Sequence, residues 1–249
     1  MILLTYLAVR AFWTLSAVAG RAVDSVTFEA ALKLALWVPI CGVGVWWLNR
    51  SARNRSRVDI GIRPLPLRGI AIGVVATVPM LVAAALLPRK GVVADLVVGS
   101  ALLGPFAEEL LFRGLLFRQL VSRAGWSAMA ALVVSSLAFG LAHVRNIDLG
   151  LLTALRFGWL PLILNSALPY AAGGAVFAWL TYRWNSLWPA IALHALMNFW
   201  WDLTTGEHVQ LDFHLDRMSV AQALSVALAI ALTLRATPSP RSAPPQMDR

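Results

Sequence analysis

The chain has 249 residues, 59% of them apolar and only 13% charged, with a mean hydropathy of +0.71. Soluble domains carry about 25% charged residues, so this composition excludes an ordinary soluble globular protein. The formal charge of +9 and the pI near 11.1 do not signal nucleic-acid binding, because the basic residues sit in short segments between apolar stretches.

Crossing the hydrocarbon of a bilayer takes roughly 20 apolar residues at about 1.5 Å each. In chain order, the windows that meet this are approximately 2–20, 30–48, 69–87, 96–117, 126–144, 158–182, 186–201 and 218–235. The expected fold class is all-α, a polytopic transmembrane helical bundle of about eight helices. It forms one membrane-embedded domain over 1–235, with a functional core at 96–201 and a disordered cytoplasmic tail at 236–249. The first window carries Arg10 and ends in small residues as a signal peptide does. It lacks a positive leading segment, so an uncleaved first helix is expected. The single cysteine, Cys41, admits no internal disulfide.

Orientation follows from the basic residues. Arg50, Arg53, Arg55, Arg57, Arg63 and Arg68 form the densest cluster, which the positive-inside rule assigns to the cytoplasm. Arg113, Arg118, Arg123 and Arg183 then share that side, while the loop with Asp202, Glu207, Asp212 and Asp216 faces out. A multi-pass protein of the cell inner membrane with both termini cytoplasmic is the expectation, and the lipid bilayer is its first partner.

Ionisable groups inside a membrane are costly and tend to be paired or functional. Glu108 and Glu109 occur together in the fourth window, after Gly104 and Pro105 and ahead of Arg113. Residues four apart share a helical face, so Glu109 can pair with Arg113 while Glu108 points about 100° away. His143 follows Phe139 by four residues near the end of the fifth window, where it could equally serve as a partner of the helix dipole. In the seventh window His194 and Asn198 share a face, as interhelical glue or as functional donors. Asn165, Pro169, Tyr170, Gly173 and Gly174 in the sixth window read as packing residues, and His208 and His214 as members of a solvated loop.

A Glu-Glu-x-x-x-Arg, a Phe-x-x-x-His and a His-x-x-x-Asn, in that order on three apolar windows, resemble the CPBP family. Its members are CAAX-prenyl-endopeptidase and bacteriocin-processing membrane proteins, also called the ABI or type II CAAX proteases. The resemblance covers about residues 96–201. It implies an intramembrane endopeptidase in which Glu108 activates a water, His143 assists or orients it, and His194 and Asn198 stabilise the oxyanion. Glu109, Arg113 and Phe139 would be supporting residues. The implied substrate is a membrane-associated peptide or protein, with no nucleic acid involved.

Two chemical readings remain. Glu108, His143 and His194 could ligate zinc as in a metalloprotease, but the chain has no His-Glu-x-x-His helix. A metal-independent glutamate mechanism is therefore the expectation, with no cofactor. A non-catalytic immunity or scaffold protein on the same fold is the rival function, and a proton-coupled transporter is a third. One geometric tension is visible in advance. On ideal spanning helices Glu108 falls in the cytoplasmic half of its window, whereas His143 falls near the outer end of the next.

Overall fold

The computed structural model describes residues 23, 25–51, 60–62, 66–87, 94–143, 167–205 and 217–236. Within them the secondary structure is helical, with no strand among the described residues. Helix α1 spans Val26–Ser51 and α2 spans Leu67–Leu86, with a one-residue break at Thr77 ahead of Val78-Pro79. The rod α3 covers 94–122, α4 is Ala128–Ala142, α5 is Leu168–Trp184, α6 is Trp188–Thr205 and α7 is Arg217–Ala236.

These rods account for seven of the eight expected windows. α1 is longer than predicted, and α6 runs to Thr205 rather than ending at 201. In the sixth window the described residues begin at Ala167, the cap of α5. The predicted first helix at 2–20, the tail beyond 236, Asn165, and the loop with His208 and His214 lie outside the described residues. Leu67–Leu86 and Arg217–Ala236 are long and apolar enough to cross a membrane. Both expose large aliphatic side chains, including Val74, Leu81, Val82 and Leu86 on α2 and Val220, Leu224 and Leu234 on α7. Apolar surface of that extent suits lipid rather than water.

The rod α3 organises the bundle. Its helical winding loosens twice, over Val97–Leu103 and over Leu110–Phe117, into π-type turns on either side of Gly104–Glu109. The cause of the first is local: proline at 105 has no N–H to continue the normal ladder. Ser127 then caps α4 by accepting a hydrogen bond from Ala130 N at 3.2 Å, so the chain reverses tightly after α3. Asn185 takes the left-handed conformation, φ 48°, and closes α5 ahead of a short turn into α6.

Two apolar clusters form the core. One joins α3 to α4 through Leu111, Phe112, Leu115, Ala131, Phe139 and Ala142. The other joins α2, α5, α6 and α7 through Met80, Phe177, Leu180, Leu193, Met197 and Met218. Phe139 and Phe177 meet edge to face at 6.5 Å and link the two. Close approach of α4 to α5 depends on Gly140, because a Cβ there would overlap the carbonyl oxygen of Ala167. Small residues at such crossings let membrane helices pack backbone to backbone.

Candidate active site

Glu108, Glu109 and Arg113 lie near the middle of α3, His143 caps the end of α4, and His194 and Asn198 lie on α6. The tertiary fold brings them together. Glu108 Oε2 is 3.5 Å from His143 Nε2 and 3.9 Å from His194 Nε2. The expected separation of depths between Glu108 and His143 is corrected by two lengths. Rod α3 continues to Ser122 rather than ending at 117, so Glu108 sits 14 residues before its end. Helix α4 has 15 residues and climbs back by about the same distance, roughly 22 Å at 1.5 Å per residue. His143 therefore arrives at the level of Glu108.

Each imidazole is held by its other nitrogen. His143 Nδ1 lies 2.8 Å from the carbonyl oxygen of Phe139, and His194 Nδ1 lies 2.9 Å from Glu109 Oε1. A carbonyl and a carboxylate oxygen only accept, so both Nδ1 atoms carry the proton and donate. Both Nε2 atoms are thereby turned toward the Glu108 carboxylate. When the rings are neutral these are lone pairs, so three acceptors converge on one point. A water or a shared proton satisfies such an arrangement.

Aromatic faces fix the ring planes. His143 stacks on Tyr170 at 4.2 Å and 16°, and His194 stacks on Phe177 at 4.6 Å and 14°. Beneath them Arg113 is fully buried. Its Nη1 is 3.2 Å from Glu109 Oε1, its Nη2 donates to the carbonyl of Gly174 at 2.9 Å, and its guanidinium lies 4.2 Å from the Phe139 ring centroid. Glu109 is thus more than an internal partner for Arg113, because it reaches across to α6 and orients His194.

Asn198 is placed by the break in α3. Gly104 N–H is given to the carbonyl of Gly99, and the next residue in that register, Pro105, has no N–H for the carbonyl of Ser100. Asn198 Nδ2 donates to that carbonyl at 3.1 Å. One of its two amide hydrogens is therefore used to anchor the side chain, and the second is left to donate elsewhere.

Sequence reasoning did not single out Lys33. It is buried on α1, 2.6 Å from Glu29, and its ammonium acts electrostatically on Glu108. The signal was present, since Glu29-x-x-x-Lys33 repeats the spacing of Glu109-x-x-x-Arg113. Tyr170 and Gly174 were read as packing residues, yet one stacks on a site histidine and the other receives the buried arginine. Among the described residues no group of three or more His, Cys, Asp or Glu side chains is arranged to hold a metal ion.

A helical membrane-type fold thus brings two acids and two imidazoles together in its interior. Residues 90–200 match the family described as Type II CAAX prenyl endopeptidase Rce1-like, and the matched segment holds all three motifs. Over 103 residues the chain is 30% identical to the probable CAAX prenyl protease 2 of Schizosaccharomyces pombe, covering 40% of this chain and 37% of that protein. Over a further alignment of 103 residues it is 28% identical to the putative membrane peptidase YdiL of Bacillus subtilis, covering 41% of this chain and 34% of that protein. The matched segment thus spans about a third of the length of each relative. No solved structure matches the chain.

Proposed function

We propose that the protein is an intramembrane endopeptidase that hydrolyses a membrane-tethered or membrane-proximal peptide with a glutamate-activated water. The observation that carries this reading is the carboxylate of Glu108 facing two imidazole Nε2 atoms, each fixed through its Nδ1. A water between these acceptors loses a proton to Glu108 as its oxygen bonds to the scissile carbonyl carbon. The free amide hydrogen of Asn198, and His194 when its Nε2 is protonated, donate to the oxyanion, a role commonly worth about 3 kcal/mol per donor. Collapse of the tetrahedral intermediate breaks the C–N bond, and Glu108 returns its proton to the leaving amine. The products are a carboxylate and a new amino terminus. His143 holds the water in line, and Glu109 with Arg113 keeps the Nδ1 proton of His194 in place, so that its Nε2 faces the site and donates once the imidazole is protonated.

The names of the two relatives support a membrane-associated substrate. In this reading the protein is a multi-pass inner-membrane protein of about eight spans with both termini cytoplasmic, and it needs no metal. The test compares peptides released by cells lacking the protein, complemented with wild type or with Glu108→Gln. Peptides restored by wild type and not by the variant establish hydrolysis at this site. Complementation by Glu108→Gln equal to wild type would make a scaffold or immunity role the better account. Loss of activity with a chelator and its rescue by zinc would replace the metal-free mechanism.

A further inference from the structure

Helices α2 and α7 run antiparallel, because the beginning of one and the end of the other line a single groove of about 360 Å³. From α2 it takes Arg68, Ile72 and Val75, and from α7 Leu232 and Arg235. On α2 these sit at i, i+4 and i+7, and on α7 at i and i+3, so each helix contributes one continuous face. Both faces have the same order, an arginine at the helix end and aliphatic side chains deeper in. Arg68 is the second residue of α2 and Arg235 the last but one of α7. Both side chains are exposed, and neither forms an ion pair or hydrogen bond with another described residue.

The same level of the bundle carries an aromatic anchor. The Trp184 ring lies where a Cβ on Gly69 would touch it, at 2.8 Å, and its Nε1 donates to Thr233 Oγ1 at 3.4 Å. Tryptophans concentrate where hydrocarbon gives way to headgroups, which sets the two guanidiniums at headgroup depth and the aliphatic wall below them at acyl depth. Two guanidiniums lining one groove complement a phosphate in charge, and each has the forked donors that a phosphate accepts from.

We propose that this groove binds one anionic phospholipid, its phosphate held between Arg68 and Arg235 and an acyl chain lying along Ile72, Val75 and Leu232. Two positive charges facing one phosphate favour a lipid with no cation of its own, and a choline headgroup would place a third positive charge against them. The site lies on the lipid-facing exterior and stands apart from the peptidase reading, so it is tested without any substrate.

The experiment is native mass spectrometry of the delipidated full chain in detergent. It is titrated with dioleoyl phosphatidylglycerol, dioleoyl phosphatidylcholine or glycerol 3-phosphate. One phosphatidylglycerol is expected to bind at least about tenfold more tightly than phosphatidylcholine, since each arginine near an anionic headgroup contributes about fivefold. Arg68→Gln with Arg235→Gln should remove that preference. Val75→Trp, which fills the trough and leaves both arginines, should weaken phosphatidylglycerol binding. Equal binding of the two lipids, or unchanged phosphatidylglycerol binding in the double variant, would overturn the proposal. Competition by glycerol 3-phosphate as strong as by the lipid would also overturn it, because the aliphatic wall would then contribute nothing.

Discussion

Oε1 of Glu109 lies 2.9 Å from His194 Nδ1 and 3.2 Å from Arg113 Nη1, so one buried oxygen ties α3 to α6 while being neutralised within its own helix. This relationship divides the work of two adjacent acids. Glu108 faces the convergence of imidazoles, and Glu109 determines which way one of those imidazoles points. Helical geometry makes the division possible, because consecutive side chains diverge by about 100°.

Arg113 and Glu109 should separate stability from activity. Arg113→Met leaves Glu109 buried and uncompensated, and loss of one partner of a buried pair costs about 3–5 kcal/mol. The paired change Glu109→Leu with Arg113→Met removes both charges and should recover much of that stability. It should remain inactive, since His194 has lost the acceptor that holds its Nδ1 proton. Thermal unfolding in detergent, read beside peptide cleavage, distinguishes the two effects.

Pro105 should matter for Asn198 rather than for bulk stability. Pro105→Ala restores an N–H that competes for the carbonyl of Ser100 and releases the Asn198 amide. A fall in kcat of roughly a hundredfold is expected, at the lower end of the range seen when one oxyanion donor is lost. Combining it with Asn198→Ala should add little further loss, because both act through one hydrogen bond. Fully additive losses in the double variant would separate the proline from the asparagine.

Acid should loosen the start of α1. Asp95 lies just ahead of the apolar stretch that begins at Leu96, and its carboxylate accepts from Ser25 Oγ at 2.6 Å, Val26 N at 2.7 Å and Thr27 N at 3.1 Å. The Ser25 hydroxyl, with the backbone donors, holds its pKa below the ordinary carboxylate value. A depressed folded-state pKa stabilises above the unfolded value, and that stability is lost as pH falls through the folded one. Hydrogen exchange at residues 25–28 should therefore accelerate below about pH 4. Asp95→Asn should exchange faster at pH 7 and show a much weaker acid dependence.

The helices, and the polar residues that the fold brings together, were legible in the sequence for a physical reason. Long uncharged runs are incompatible with water, and an acid, a histidine or an arginine inside such a run needs a purpose. Glu108, Glu109, Arg113, His143, His194 and Asn198 stand out on that basis, and the ordered spacing of the three motifs lies within the segment that matches one family. Lys33 escaped because an i, i+4 Glu–Lys pair near a helix start reads as an ordinary surface pair until its burial is known.

Depth, partner and orientation were not legible. Window-based reading made each rod the thickness of a bilayer, which put Glu108 and His143 at different levels. The extension of α3 to Ser122 and the shortness of α4 correct this. Nor does spacing reveal that a proline at 105 frees a carbonyl for a side chain 93 residues later, or that a tyrosine counted as packing stacks on His143.

Local sequence alone determined that this chain forms long apolar helices suited to lipid and which polar residues they carry, because hydropathy and helical periodicity act over a few turns. Only the tertiary structure decided that two Nε2 atoms face Glu108 and that Glu109 serves His194. Those relationships depend on where separate helices end and how closely they cross, which contacts between residues distant in the chain determine.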